Sequence, residues 1–189
     1  MFMTTQAVIL WTVVLWVGTL AGQEAMAQKV SSVMDTNEAS VVLQPNDIKN
    51  TRIYRVKKLD WVTAVDTNGR HKPQAGVVQE MEAQGARVRI HYCEFGSNEE
   101  AHNAAESHIE NVASIFHAGL WSNATHKAIG DESWFAESES AVGLLVRSRR
   151  VCVLLSCREG DMNQRRSAAE QVAEQIVTKV GSGKRVIVP

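Results

Sequence analysis

The stretch AVGLLVRSRRVCVLLSC, residues 141–157, constrains the fold of this chain more than any other. It consists of two apolar runs on either side of a short basic turn, which extends from Arg147 to Arg150. Neighbouring side chains of a strand point to opposite faces, so runs that are apolar at every position need cover on both faces. We therefore predict a hairpin of two central strands.

The segments on either side of this hairpin predict further elements. The stretch ARVRIHYCEF, residues 86–95, alternates apolar and polar side chains as a strand does. Ser97 and Glu100 then form a capping box, which predicts the start of a helix with an apolar stripe that ends at Gly119. A second amphipathic helix is predicted to begin after Asp161.

The order of the predicted elements indicates the fold class. Residues 51–66 are rich in β-branched and aromatic side chains and predict one or two strands, and Asn68-Gly69 is typical of a hairpin turn. Strands that precede and follow a helix, with a second helix near the end, are typical of an antiparallel sheet with helices on a single face. We expect an α+β fold, a two-layer sandwich with a mainly antiparallel sheet and two helices on one face.

The N-terminal residues are typical of an export signal. Residues 7–21, AVILWTVVLWVGTLA, are apolar and uncharged, and the Ala-Met-Ala sequence that ends at Ala27 matches a signal-peptidase site. The apolar run is shorter than the roughly 20 residues of a membrane-spanning helix, which favours cleavage over an uncleaved anchor. We predict a periplasmic or secreted protein. The predicted parts are a signal peptide at 1–27, an extended lead-in at 28–50 and a single α+β domain at 51–189.

The charge composition excludes two classes of partner. The chain has 20 Lys and Arg against 21 Asp and Glu, which is a formal net charge of −1. Nucleic-acid-binding domains and polybasic membrane-binding segments carry a clear positive excess, so we predict no nucleic acid and no membrane contact apart from an uncleaved N-terminal segment. The sequence predicts no cofactor. Hydrophobic residues make up 44% of the chain, which fits one globular core.

The stretch IGDESWF, residues 129–135, collects acidic and aromatic side chains next to the hairpin. On a strand, the adjacent Asp131 and Glu132 would point to opposite faces, whereas acid–base catalysis needs carboxylates that converge on one substrate. No Gly-x-Ser-x-Gly motif surrounds Ser133, and no base for it is recognisable. We therefore interpret Gly130-Asp131 as a turn that leads into a strand.

A binding surface is the functional alternative for this region. We expect one of the rings of Trp134 and Phe135 to pack inward and the other to cover a sheet edge or a ligand groove. The arginines of the hairpin tip either form a solvated turn or bind an anionic partner. The candidate binding residues are Trp134, Phe135, Asp131, Arg147, Arg149 and Arg150.

The cysteines and histidines allow a second hypothesis. His91 and Cys93 are two apart on a predicted strand and so share a face, as a metal site or an activated thiol would require. Export also permits disulfides, and Cys93 could pair with Cys152 or with Cys157. The last two are five apart on one strand, so only one of them shares a face with Cys93. His108 falls in the apolar helical stripe and is interpreted as a buried structural residue.

From the first helix onward the chain resembles a type of small exported bacterial α+β protein of unknown function. The resemblance lies in SNEEAHNAAESHIENVASI, IGDESWF, GLLVRSRRVCVLLSC and the helix from Asp161, over about residues 87–180. It implies a Gly-Asp-Glu-x-Trp-like turn before an apolar hairpin in a compact exported domain, and it brings no catalytic residues.

These observations lead to one functional expectation and one alternative. The expectation is an exported cell-envelope domain that is a non-enzymatic binding or interaction module for a protein or small ligand. The alternative is a small envelope enzyme or metal-binding protein centred on His91 and Cys93. Asn123 lies in an N-glycosylation pattern, which matters only in a eukaryotic source.

Overall fold

The computed structural model describes residues 40–59, 71–115 and 125–186. The predicted signal peptide, the Asn68-Gly69 turn, the helix end at Gly119 and the glycosylation pattern at Asn123 lie outside these residues. The elements, in chain order, are β1 (Arg52–Lys58), β2 (Ala75–Ala83), β3 (Ala86–Glu94), α1 (Asn98–Ile115), β4 (Thr125–His126), β5 (Glu132–Glu137), β6 (Val142–Ser148), β7 (Val151–Arg158) and α2 (Met162–Gly181).

The seven strands form one antiparallel sheet in the order β1-β2-β3-β7-β6-β5-β4. The predicted apolar hairpin is confirmed as β6 and β7, and both strands lie in the interior of the sheet. The pairing of β3 with β7 joins the first three strands to the last four. The α+β class and the antiparallel sheet are therefore confirmed.

The two faces of the sheet carry two separate apolar cores. On β7, Val153 and Leu155 belong to one core, whereas Cys152 and Leu154 belong to the other. The first core includes Ile176 and other residues of α2, and we call this side the α2 face. The second includes alanines of α1, and we call this side the α1 face.

Because successive side chains of β7 alternate between the two cores, the two helices lie against opposite sides of the sheet. The expected two-layer sandwich with both helices on one face is therefore not confirmed. The reason is physical: β6 and β7 are apolar at almost every position, and each of their faces needs a cover.

Capping interactions at both helix starts agree with the sequence. The amide of Glu100 donates to the Ser97 hydroxyl at 3.0 Å, and the Glu100 carboxylate accepts from the amide of Gly96 at 2.8 Å. At α2, Asp161 is the N-cap and forms a reciprocal capping box with Gln164. Within the described ranges, neither helix combines the length and apolar character needed to cross a membrane.

Part of the predicted lead-in belongs to the core. Val41 and Leu43 are buried, and a polar network holds this segment on the α2 face. The buried Tyr92 hydroxyl donates to Oε1 of Gln79 at 2.6 Å, and Nε2 of Gln79 donates to the carbonyl of Leu43 at 2.8 Å. The packed part of the chain therefore begins before Thr51.

Lys179 near the end of α2 ties down the same segment. Its side chain is buried, and Nζ donates to the carbonyl of Val42 at 3.1 Å and forms an ion pair with Asp47. A buried ammonium is tolerated only when its N–H groups donate to acceptors. Residues 40–48 supply these acceptors to Lys179, so their placement and the burial of Lys179 depend on each other.

We expect the substitution Lys179→Met to lower the free energy of unfolding by about 1–3 kcal/mol, because the Asp47 carboxylate and the Val42 carbonyl lose their charged donor. Urea denaturation measures this loss, and hydrogen exchange should show faster exchange in residues 40–48. The same substitution at the exposed Lys49 is the matched control. An equal loss of stability in both variants would contradict the assignment.

Candidate functional site

A row of polar side chains crosses the α1 face of the sheet. In the strand registers Cys93 lies opposite Cys152, Cys152 opposite Arg147, and Arg147 opposite Glu132. Side chains in one row of a sheet share a face, so these four residues form a continuous line beneath α1. The pairing of four strands brings them together, and no spacing in the sequence indicates it.

The helix α1 contacts this row through two polar interactions. The Cys152 thiol donates to the carbonyl of Ala101 at 3.1 Å. Nδ1 of His102 lies 3.0 Å from both carboxylate oxygens of Glu132. The sequence did not predict this contact of His102, because its partner Glu132 is distant in the chain.

The adjacent acids of IGDESWF converge on one cation, contrary to the divergence that the sequence predicted. Nε of Arg147 donates to Glu132 at 2.8 Å, and a terminal nitrogen of the same guanidinium lies 3.3 Å from Asp131. The divergence rule fails because β5 begins at Glu132, so Asp131 still belongs to the preceding turn. Gly130 has a φ of +73°, and a Cβ there would lie 2.6 Å from the carbonyl oxygen of Arg147.

These contacts set the charge states of the network. The Arg147 guanidinium, with help from His102, lowers the pKa of Glu132 to about 2. The hydrogen bond to Glu132 raises the pKa of His102. Glu132 is therefore held as a carboxylate that cannot act as a general acid near neutral pH, and the network joins α1 to the sheet.

The arginines of the hairpin tip are engaged in intramolecular contacts. The carboxylate of Asp131 accepts from the amide of Arg149 at 2.5 Å. Arg150 lies 3.0 Å from the buried carboxylate of Glu94, which also accepts from Arg185 at 2.9 Å. The side chains of Arg147 and Arg150 and the amide of Arg149 thus hold the β6–β7 turn to its neighbours. These contacts explain Arg147 and Arg150 without an anionic ligand.

The three cysteines are reduced and buried. Cys93 and Cys152 face each other across β3 and β7, whereas Cys157 belongs to the core on the α2 face. This confirms that only one of the two later cysteines shares a face with Cys93. Burial raises the pKa of Cys152 and raises that of Cys157 to about 12, so neither forms a thiolate readily.

The enzyme or metal hypothesis at His91 and Cys93 finds little support in this geometry. Cys93 is fully buried in the core beneath α1, where no substrate reaches its sulfur. In the described ranges, no group of three or more His, Cys, Asp or Glu side chains has a geometry that could hold a metal ion. His108 is buried in α1, as the sequence predicted.

The two aromatic candidates lie on opposite faces of β5. Trp134 is half-buried on the α1 face, and its ring centroid lies 5.8 Å from that of His126 at an interplanar angle of 51°. Phe135 is buried on the α2 face, and Nζ of Lys127 lies 4.5 Å from its ring centroid. The prediction that IGDESWF leads into a strand is confirmed.

A groove of about 410 Å³ lies beside Phe135, between the β4–β5 edge and α2. Two ion pairs border it: Lys127 with Glu170 at 2.9 Å, and Arg166 with Glu137 at 2.6 Å. The sequence did not predict that Lys127 and Arg166 border one groove, since only the tertiary structure brings α2 to this edge. The lining residues are Thr125, Lys127, Phe135, Ala136, Glu137 and Arg166.

The network at Arg147 contributes most to stability in weakly acidic solution. The lowered pKa of Glu132 gives stability that is present above its ordinary pKa of 4.5 and is lost as the pH falls toward 2. The raised pKa of His102 gives stability that is present below 6.5 and is lost as the pH rises through the raised value. Both contributions are therefore present between about 4.5 and 6.5.

We expect Glu132→Gln to lower the free energy of unfolding by about 1–3 kcal/mol at pH 5.5, with a smaller loss near pH 2. His102→Gln should lower stability at pH 5.5 and much less at alkaline pH. Urea denaturation across pH measures both effects. Glu139→Gln, at an exposed position, is the control. A pH-independent loss in Glu132→Gln would show that the carboxylate charge is not the cause.

Because the thiols are buried, we predict that they react slowly with thiol reagents in the folded protein. We expect a disulfide reagent to react slowly with the native chain and to titrate three thiols after denaturation without reductant, because Cys93, Cys152 and Cys157 are buried and reduced. The variant Cys157→Ser should then titrate two. One thiol in the wild type and none in the variant would mean that Cys93 and Cys152 are bridged.

In comparisons with known proteins, no protein-family model matches the chain, and no curated protein matches it. The resemblance to small exported α+β proteins therefore stays a prediction that depends on the quoted motifs alone.

Proposed function

We propose that this chain is an exported domain of the cell envelope that acts as a non-enzymatic binding module, periplasmic or secreted after cleavage near Ala27. The apolar run at 7–21 and the small residues at the cleavage site support the export. The groove beside Phe135 is the observation that carries the proposal of binding, because apolar and charged side chains meet in it.

The groove has a size and a lining that suit a small ligand. A volume of about 410 Å³ lies in the usual range of ligand pockets, roughly 300–1,000 Å³. Phe135 supplies apolar surface, and Lys127 and Arg166 supply cations. A small carboxylate with an apolar group is the chemistry that such a lining recognises.

The ion pairs that border the groove do not prevent this binding. The side chains of Arg166, Glu137, Lys127 and Glu170 are each exposed by more than a third. Exposed ion pairs contribute only about 0–1 kcal/mol, so a ligand carboxylate can replace Glu137 or Glu170 at a small cost. Arg166 presents two donors to one carboxylate, with distances of 2.7 and 2.6 Å to Glu137, which suits a bidentate ligand contact.

The enzyme alternative has weaker support. Activation of a nucleophile requires an accessible group of lowered pKa, whereas Cys152 and Cys157 are buried with raised pKa values. The hydroxyl of Ser133 is buried and donates to the carbonyl of Lys127. His91 and Cys93 therefore remain the less favoured site, and Trp134 remains a candidate contact for a larger partner.

An NMR titration with an aromatic carboxylate tests the groove. We expect 3-phenylpropionate, added to the ¹⁵N-labelled chain, to give saturable shifts at the amides of residues 125–127 and 135–137. Arg166→Gln should weaken the affinity about tenfold, a loss of ~1.4 kcal/mol, because the bidentate donor is removed.

Lys58→Gln is the control, since Lys58 is an exposed lysine on β1, at the sheet edge opposite to β4 and β5. Its affinity for the carboxylate should equal that of the wild type. Shifts that do not saturate, or an equal loss in both variants, would refute the groove as the ligand site.

A further inference from the structure

A strongly basic surface occupies the part of the α1 face that α1 does not cover. The helix packs over β6 and β7 near Cys152 and Glu132, whereas the opposite ends of the strands are exposed. We call this surface the basic face. Its cations are Arg52, Arg55, Lys57, Arg87, Arg89 and Arg158.

The strand registers place these cations in adjacent rows. Arg52, Glu82, Arg87 and Arg158 form one row across four strands. Arg55, Glu80 and Arg89 form the next, and Lys57 follows on β1. These rows hold six cations and two carboxylates, with Glu159 at their margin, although the whole chain has 20 basic and 21 acidic residues. Positive charge is therefore concentrated on the basic face.

One contact within the basic face is unfavourable by itself. Arg87 and Arg158 are exposed and lie directly opposite each other on β3 and β7. Like charges at directly opposed positions destabilise a sheet. Glu80 and Glu159 form only long ion pairs with Arg87, at 3.6 and 4.0 Å, and the Arg87 side chain is 52% exposed, so these pairs offset little of the repulsion. An external anion between the two arginines would relieve this repulsion.

Tyr54 orders two of the arginines. At 43% exposure it is the large apolar side chain that is most open to solvent among the described residues. The guanidinium carbons of Arg52 and Arg87 lie 5.4 and 5.5 Å from its ring centroid, and its hydroxyl is bonded to Glu82. Arginines held on a ring lose less side-chain entropy when they bind, so the site is partly preorganised.

The shape of the α1 face restricts the partner. A helix is about 10 Å thick, so α1 rises above one end of the face and obstructs the approach of a flat membrane. It also has no Lys or Arg between Asn98 and Ile115, whereas it has Glu99, Glu100, Glu106 and Glu110. A planar anionic surface would meet these acids, but a narrow chain would lie on the sheet beside the helix.

We infer that the basic face docks an extended acidic segment of a partner protein. Side chains two apart on an extended chain repeat about every 6.8 Å on one side, which is also the spacing of Arg87 and Arg89, and of Arg55 and Lys57. Carboxylates at alternate positions of the partner then meet the cations in register. The groove beside Phe135 takes no part in this contact.

Fluorescence anisotropy with a labelled peptide of alternating Glu and Thr tests the inference on the full chain. We expect binding that weakens as the salt concentration rises above about 0.15 M. The double variant Arg87→Gln/Arg89→Gln should lose about tenfold in affinity. Lys127→Gln/Arg166→Gln removes the same number of charges at the groove and should change the affinity less than about twofold.

A third variant separates binding from stability. Arg158→Gln removes the like-charge pair, so it should keep or raise the melting temperature while it weakens peptide binding. A residue with a purely structural role would not behave in this way. An unchanged affinity in Arg158→Gln and in the Arg87/Arg89 variant, or equal losses in the Lys127/Arg166 variant, would overturn the inference.

Titrations with other anionic ligands test the alternatives to an acidic polypeptide. Vesicles of phosphatidylglycerol and phosphatidylcholine, and single-stranded DNA, are titrated in the same way, and tighter binding to either would overturn the assignment to an acidic polypeptide. Sedimentation of the chain alone detects self-association through the acidic α1 of a second copy. Self-association that the Arg87→Gln/Arg89→Gln variant abolishes would replace the inferred partner with that copy.

Discussion

The pairing of β3 with β7 is the contact on which the rest of the structure depends. It joins two strands that are separated in the chain by α1, β4, β5 and β6, and it unites the sheet from β1 to β4. Such non-local pairing is formed against a large loss of chain entropy, so the apolar contacts of both faces are needed to support it. Ile90 opposite Leu155 supplies such a contact on the α2 face, and Cys93 opposite Cys152 on the other.

The same pairing divides the α1 face into a covered and an open part. Toward one end, the row from Cys93 to Glu132 lies beneath α1 and is satisfied by Arg147 and His102. Toward the other end, Arg87 faces Arg158 without a cover. Charged groups in short, partly buried contacts are committed to the fold, whereas exposed groups with only long ion pairs, such as Arg87, remain available to an external ligand. The open part of the α1 face and the groove therefore hold the charged side chains that a ligand can reach.

Local patterns predicted the elements well, because a cap, a turn or an alternation depends on residues that are close in the chain. The Ser97–Glu100 box and the β6–β7 hairpin are examples. Partners across the sheet were not predictable, since register depends on pairing between distant strands. The sequence alone therefore missed both the contact of Glu132 with His102 and the convergence of Asp131 and Glu132 on Arg147.

By itself, the sequence determined an α+β fold with an antiparallel sheet, two capped helices and a central apolar hairpin, because these follow from periodicity and capping over short distances. Only the tertiary structure decided which face each helix covers and which charges find partners. The hairpin is apolar on both faces and so admits helices on either side, and the side that each helix takes depends on long-range packing. The groove and the basic face result from the side of the sheet that each helix covers.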